Sequence, residues 1–135
     1  MTENELSNII IGEAIFVHKI FGPGLLESAY EACLCHRLTE QGLRIEKQKP
    51  IPLVFEDVKL DCGFRCDILV EGKVIVEVKS VDAVNDVHVA QVLSYLKLTN
   101  CKLGLLINFN VLKVKDGIRR VVNGLEENLT AKSAE

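Results

Sequence analysis

The chain has 135 residues, of which 48% are apolar and 26% are charged, and its formal net charge is −3. This length provides for one domain with one modest hydrophobic core, and the composition excludes an intrinsically disordered chain. The acidic balance argues against an obligate nucleic-acid coat protein, which is usually basic, but it leaves room for an enzyme that contacts nucleic acid through a local patch.

The N-terminus and the cysteines indicate the compartment. The first residues, MTENELSN, are too polar and acidic for a secretory signal, and no apolar stretch reaches transmembrane length. An odd number of cysteines is typical of reduced thiols, so we expect a cytoplasmic protein without a membrane partner. Zinc binding is an alternative, although the C-x-C and C-x3-C spacings differ from the usual C-x2-C. The cysteines are Cys33, Cys35, Cys62, Cys66 and Cys101.

Two helices are predicted at the start of the chain. Apolar residues recur at helical spacing from Glu5 to Ile20, and again in a segment from Leu25 to Gln41. The stretch FGPG, residues 21–24, separates the two segments because glycine and proline interrupt helices. Gly42 is placed to stop the second helix at its C-terminus.

Short β-branched segments separated by turn residues follow in residues 43–79, which predicts a meander of three to five antiparallel strands. The helical period returns after Ser80 and continues to near Asn100. The apolar run KLGLLINF, residues 102–109, predicts a buried strand, and IRRVV, residues 118–122, predicts a possible last strand.

This order of elements predicts an α/β (α+β) fold, in which helices flank a mixed β-sheet that contains the antiparallel meander. We expect residues 1–124 to form a single domain. The polar residues 125–135 are predicted to be a frayed tail.

The stretch DILVEGKVIVEVKS, residues 67–80, is typical of a β-hairpin with its turn at Glu71-Gly72. Alternation along the second strand puts Glu77 and Lys79 on one face, and Asp67 lies across the hairpin from them. Neighbouring carboxylates repel one another unless a cation shares them, and their oxygens suit Mg²⁺. The same charges also suit an exposed strand face in contact with water.

Two motifs resemble those of known nucleases. The spacing D-x9-E-V-K resembles the signature of the PD-(D/E)xK nuclease superfamily, with Asp67, Glu77 and Lys79 in its three places. The stretch GLLESAY, residues 24–30, is similar to the motif of the GxxExxY protein family, a small bacterial branch of that superfamily. The resemblance extends from about residue 9 to residue 124 and implies a restriction-endonuclease-like core.

The resemblance also implies a function, which is metal-dependent hydrolysis of phosphodiester bonds in DNA or RNA. Asp67 and Glu77 are the implied ligands of Mg²⁺ or Mn²⁺, with Glu27 as a further carboxylate, and Lys79 is implied to position or activate the attacking water. Glu27 also suits the first turn of a helix without any role in a site. Tyr30 is equally well explained as a packing residue with its hydroxyl at the rim.

The third predicted helix carries a polar stripe of His88, Gln91 and Tyr95. Gln91 and Tyr95 are similar to the Q-x-x-x-Y motif of the exonuclease-type branch of the superfamily, which implies that they complete the wall of the site. An exposed helix face is the alternative. His88 is expected to be a bystander or a phosphate contact, and His18 and His36 are interpreted as surface residues.

Two rival functions remain open from the sequence. The first is a non-catalytic module that binds nucleic acid or protein on the same fold, as a possible homodimer through the first helix. The second is a redox or zinc protein that uses the cysteines. Short basic pairs are candidate nucleic-acid contacts, although each also suits a solvated face. These pairs are Lys47 and Lys49, Lys113 and Lys115, and Arg119 and Arg120.

Overall fold

The computed structural model describes residues 1–125, so the predicted tail, apart from Leu125, lies outside the described residues. Within this range the helices and strands follow the order that the sequence predicts. A short 3₁₀ helix at Val114–Gly117 precedes the last strand. In chain order they are α1 Glu3–Phe21, α2 Glu27–Glu40, β1 Ile45–Pro50, β2 Leu53–Phe55, β3 Val58–Leu60, β4 Arg65–Val70, β5 Val74–Lys79, α3 Asp86–Thr99, β6 Leu103–Asn108 and β7 Ile118–Val122.

A mixed five-stranded sheet forms the centre of the molecule, in the order β1-β4-β5-β6-β7. Strands β5 and β6 are parallel, and the other neighbours are antiparallel. The parallel pair needs a crossover, which α3 provides. This arrangement confirms the predicted mixed α/β fold with a restriction-endonuclease-like core.

The predicted meander is divided between two sheets. Strands β1, β4 and β5 are antiparallel neighbours in the main sheet, while β2 and β3 pair only with each other in a separate ribbon. The turn of this ribbon is tight because Glu56 and Asp57 both adopt positive φ angles. The alternating pattern predicts each strand, but it carries no information on which sheet a strand joins.

The helices cover both faces of the main sheet. Val74, Val76 and Val78 of β5 lie in one core with α1 and α2, whereas Ile75 lies in a second core with α3. The side chains of β5 therefore alternate as predicted, and both faces of this central strand are buried. Within residues 1–125, no helix is long and apolar enough to cross a membrane.

The loop of the β4–β5 hairpin is one residue longer than predicted. Val70 pairs with Val74, so the loop contains Lys73 as well as Glu71 and Gly72, which both adopt left-handed φ angles. The same register, continued along the strands, places residue 67 level with residue 77. The predicted juxtaposition across the hairpin is therefore preserved.

His18 differs from its sequence interpretation as a surface residue. It is 7% exposed, and its Nε2 lies 2.8 Å from the carbonyl oxygen of Val111 in the loop after β6. Its ring also lies near Phe109, with 6.3 Å between ring centroids. The interpretation was wrong because the partner lies 93 residues further along the chain. His36 is exposed, as predicted.

Candidate active site

Strands β4 and β5 separate at the predicted acidic patch. Their backbone pairing ends at Ile68 and Val76, and beyond this pair the side chains of Asp67 and Glu77 bridge the gap. The backbone amide of Asp67 donates to Oε2 of Glu77 at 2.6 Å, and Oδ2 of Asp67 accepts from the amide of Val78 at 2.8 Å. We call this arrangement of Asp67 and Glu77 the carboxylate fork.

The backbone of β1 is irregular at the position that faces Asp67. Gln48 of β1, which faces Asp67, adopts a φ of 49°. The neighbouring residues of β4 show the effect, since Cys66 lies in the core with α3 and Ile68 lies in the opposite core. Regular strand geometry would put these two side chains on the same face. The Asp67 carboxylate lies at this interruption, where Oδ2 accepts from the amide of Val78 on β5.

Glu77 is almost completely buried, with 4% of its surface exposed. Burial, followed by the negative charge of Asp67, raises the pKa of the Glu77 carboxyl to about 8, although Lys79 acts in the opposite direction. A buried carboxylate next to another is unfavourable unless a cation or a proton neutralises it. The carboxylate fork is therefore a place where a cation would be stabilised.

Glu31 is a site residue that the sequence analysis missed. Nε2 of Gln48 donates to Oε1 of Glu31 at 2.9 Å and to Oδ1 of Asp67 at 3.2 Å, which links α2 to the carboxylate fork. Burial raises the pKa of Glu31, and the charges of Asp67 and Glu27 raise it further. The spacing of Glu27 and Glu31 along one helix face was the available signal.

Glu27 is attached to the end of β5 by a hydrogen bond. Its Oε1 accepts a hydrogen bond from the amide of Ser80 at 3.2 Å, and the Ser80 hydroxyl donates to the carbonyl of Leu25 at 2.8 Å. Together with Ser28, these residues line a cleft of about 450 Å³. Glu27 thus lies at the start of α2 and next to the strand that carries Glu77 and Lys79.

Tyr30 has a structural role, which decides between the two interpretations left open by the sequence. The side chain is fully buried and stacks on Phe109 with 4.4 Å between ring centroids. Its hydroxyl donates to the carbonyl of Gly22 and accepts from the amide of Leu25 at 3.1 Å. Gly24, between these two residues, has a φ of 110°, which favours glycine. The tyrosine therefore fixes the loop that leads to Glu27.

The two site residues predicted on α3 differ in burial, since Tyr95 is buried and Gln91 is exposed. Tyr95 is 7% exposed and packs in the same core as Cys66, the residue before Asp67. Burial raises the pKa of the Tyr95 hydroxyl, and the charges of Glu77 and Asp67 raise it further. Gln91 is exposed, and its side chain makes no hydrogen bond within the part of the chain that the structure describes. His88 closes the capping box of α3 with Asn85, which is a local helix-start role.

Lys79 lies two positions after Glu77 in β5, on the same face of the strand. It is partly exposed, and its positive charge lowers the pKa of Glu77. Its backbone carbonyl accepts from the amide of Phe109 at 2.9 Å, which fixes the end of β5 against the chain after β6. Asp67, Glu77 and Lys79 therefore lie at neighbouring positions of β4 and β5, and Tyr95 packs in the core beside Cys66, whereas Gln91 is exposed.

The side chains of the carboxylate fork suit a hard divalent cation. Within residues 1–125, no three or more His, Cys, Asp or Glu side chains are already arranged as a metal site. Mg²⁺ requires fewer, since it is commonly held by one or two carboxylates, with water and phosphate oxygens completing the shell. Burial, assisted by Glu77, raises the pKa of the adjacent Cys66 thiol to about 12, so this cysteine is a poor thiolate ligand for zinc.

Comparison with known families agrees with this geometry. The family model described as the PD-(D/E)XK nuclease superfamily matches residues 4–121, which includes all the elements that build the site. A search of curated proteins and a search of solved structures found no significant match.

Proposed function

Because the chain belongs to the PD-(D/E)XK nuclease superfamily, we propose that it is a nuclease that hydrolyses phosphodiester bonds of DNA or RNA at the carboxylate fork. The observation that carries the proposal is the reciprocal attachment of Asp67 and Glu77 between two separating strands. This attachment holds two carboxylates side by side on a rigid sheet, where their repulsion favours a cation.

Asp67 and Glu77 would hold Mg²⁺ or Mn²⁺, with Glu27 as a further ligand or an orienting carboxylate. Each carboxylate of the pair uses one oxygen to accept from the backbone, and this contact fixes its direction. Such an ion, when bound, lowers the pKa of a bound water and polarises a phosphoryl oxygen. Glu31 and Gln48 would act behind this pair by restraining the Asp67 carboxylate.

Lys79 would hold the attacking water and offset the negative charge that develops on the phosphate. Its position on the same face as Glu77 supports this role, as does its partial exposure at the end of a fixed strand. Tyr95 would form part of the wall beside the fork. For Gln91, which is exposed, the proposed role is a contact with substrate at the outer edge of that wall.

We also propose that the chain belongs to the GxxExxY branch. The two named residues of the motif have separate and compatible roles, since Tyr30 fixes the loop and Glu27 follows it at the start of α2. Residues 1–124 would form the single nuclease-like domain. The free thiols of Cys35, Cys66 and Cys101 are buried and fit a reducing compartment such as the cytoplasm.

The experiment that tests this function is cleavage of labelled DNA and RNA, single-stranded and double-stranded, with Mn²⁺, with Mg²⁺ and with a chelator. Wild type is compared with Lys79→Ala and with Lys97→Ala, an exposed lysine of α3. We expect metal-dependent cleavage that falls about 100-fold or more in Lys79→Ala and is unchanged in Lys97→Ala. Equal cleavage by all three proteins would indicate a contaminant, and no cleavage of any substrate would favour a binding module on the nuclease fold.

A further inference from the structure

A basic cleft lies on the molecule outside the carboxylate fork. It has a volume of about 560 Å³ and runs between the end of α1 and the loop after β6. Lys19 of α1 lies on one side, and Lys113 and Lys115 of the loop lie on the other, with His18 and Leu112 among the remaining lining residues. We call this feature the lysine cleft.

The charge of the lysine cleft differs from that of the chain as a whole. All its lining residues lie within residues 1–125, and among them are three lysines and no aspartate or glutamate. The neighbouring Asp116 lines a different cleft, together with Arg119. A chain with a net charge of −3 thus concentrates positive charge in one concave place. Such a site attracts polyanions, of which a nucleic-acid backbone is the one that a nuclease meets.

The cleft is built from parts that are distant in sequence but firmly connected. His18 Nε2 contacts the carbonyl of Val111 at 2.8 Å, which attaches the loop to α1. Gly117 packs so closely on Asn108 that an added Cβ would lie 2.1 Å from the Asn108 carbonyl oxygen. The Asn108 side chain in turn accepts from the amide of Asn110 at 3.2 Å. The backbone that carries the two loop lysines is therefore held in place.

The lysine cleft is linked through the core to the end of β5, the strand that carries Glu77 and Lys79. The amide of Phe109 donates to the carbonyl of Lys79, and the Phe109 ring stacks on Tyr30 and lies near His18. One aromatic side chain therefore separates a lining residue of the cleft from the strand that carries the proposed catalytic lysine.

We propose that the lysine cleft binds the sugar–phosphate backbone of the nucleic-acid substrate on one side of the bond that is cleaved. Lys19, Lys113 and Lys115 contact phosphates, while the exposed Leu112 packs against sugar or base. Because such contacts carry no base information, this part of binding is independent of sequence and sensitive to salt. This inference rests on the proposed function, since it gives the lysine cleft a contact with the substrate that would be cleaved at the carboxylate fork.

The test measures binding without cleavage. Fluorescence anisotropy with labelled DNA and RNA oligonucleotides is recorded in a chelator over a range of salt concentrations. Wild type is compared with the triple variant Lys19→Gln, Lys113→Gln and Lys115→Gln. The control is a triple variant of equal charge change, Lys73→Gln, Lys97→Gln and Lys102→Gln, at exposed positions outside the cleft. Circular dichroism and thermal melting verify that both variants fold.

We expect the cleft variant to bind at least about 10-fold more weakly at low salt, and its slope of log K against log salt to fall by about 3. The control is expected to keep most of the affinity and the slope. Equal behaviour of the two variants would overturn the proposal, and so would a wild-type protein that binds neither DNA nor RNA.

A parallel measurement on Lys79→Ala separates this inference from the proposed function. This variant should lose cleavage and retain binding that depends on the lysine cleft, with a salt slope lowered by no more than about 1. Binding that depends on the cleft, in a protein that never cleaves, would support the cleft and contradict the nuclease. Cleavage with the same KM in wild type and in the cleft variant would support the nuclease and contradict the cleft.

Discussion

Asp67 and Glu77 are joined across two strands, because the Asp67 amide donates to Glu77 Oε2 at 2.6 Å and Asp67 Oδ2 accepts from the amide of Val78 at 2.8 Å. Each carboxylate thereby replaces a backbone acceptor that the separating strands no longer supply. A side chain that is fixed in this way has little freedom to turn away from its neighbour. The two negative charges are therefore held close together even though they repel.

The first prediction concerns the pH dependence of stability in Glu77→Gln. The pKa of Glu77 is raised to about 8 from an ordinary value of 4.5, so the unfolded chain loses this proton at lower pH than the folded chain does. The free energy of unfolding of the wild type should therefore fall as pH rises from about 4.5 to 8. Glu77→Gln lacks this loss. By pH 9 its free energy of unfolding should have risen relative to that of the wild type by on the order of 4 kcal/mol.

Urea unfolding in a chelator, from pH 5 to pH 9, measures this difference. Glu40→Gln removes an exposed carboxylate and serves as the control, for which we expect no such trend. Parallel curves of stability against pH for wild type and Glu77→Gln would contradict the account. They would mean that the buried carboxylate is already neutralised by a partner in the folded chain.

The second prediction compares two tyrosines. Tyr30→Phe removes a buried hydroxyl that bonds to the Gly22 carbonyl and the Leu25 amide, and both groups would then lack this partner. We expect a loss of about 1–3 kcal/mol in the free energy of unfolding. The Tyr95 hydroxyl has no hydrogen bond among the described residues, so Tyr95→Phe should leave stability nearly unchanged. Thermal melting of the two variants side by side tests this contrast, and equal losses would contradict it.

The third prediction compares two glycines. A Cβ at Gly117 would lie 2.1 Å from the backbone oxygen of Asn108, whereas a Cβ at Gly12 meets nothing within 4 Å. Gly117→Ala should therefore destabilise the protein by about 1–3 kcal/mol or more. Gly12→Ala lies within α1 and should stabilise the protein by up to about 1 kcal/mol. Chemical denaturation measures both, and a stable Gly117→Ala variant would contradict the close packing of this loop.

Hydrophobic periodicity predicted the parts of the fold that depend on a repeating pattern. Alternation along VIVEVK placed Glu77 and Lys79 opposite the Val74 face, and the predicted hairpin placed Asp67 roughly across from residues 76–78; the observed register, with its longer loop, puts residue 67 level with residue 77. These relationships are local and follow from strand geometry alone. The helices were predicted for the same reason, since their apolar faces repeat at the helical period.

The rest of the site depends on contacts between distant segments. Glu31 reaches Asp67 through Gln48, whose positive φ is unusual for its residue type. No pattern in the sequence indicates that backbone angle. Likewise, His18 was interpreted as a surface residue because its partner, Val111, belongs to a segment 93 positions away.

The fourth prediction concerns Gln48, which joins Glu31 to Asp67. Gln48→Ala removes both hydrogen bonds and leaves the two carboxylates to repel each other without a shared donor. We expect about 10-fold weaker Mn²⁺ binding, as is typical when a partner of a metal ligand is lost. Gln41→Ala is the control. It removes a hydrogen bond to Glu13 of α1, which is not part of the carboxylate fork. Unchanged Mn²⁺ affinity in Gln48→Ala would show that the bridge has no part in the site.

The central claim is that Asp67 and Glu77 form a divalent cation site, and calorimetric titration with Mn²⁺ tests it most directly. Wild type is compared with Asp67→Asn and Glu77→Gln, which keep the shape of each side chain, and with Glu40→Gln as a control. We predict one saturable site in wild type and in the control, with affinity reduced at least about 10-fold in either fork variant. Equal Mn²⁺ binding by all four proteins, or no saturable binding by wild type, would contradict the claim.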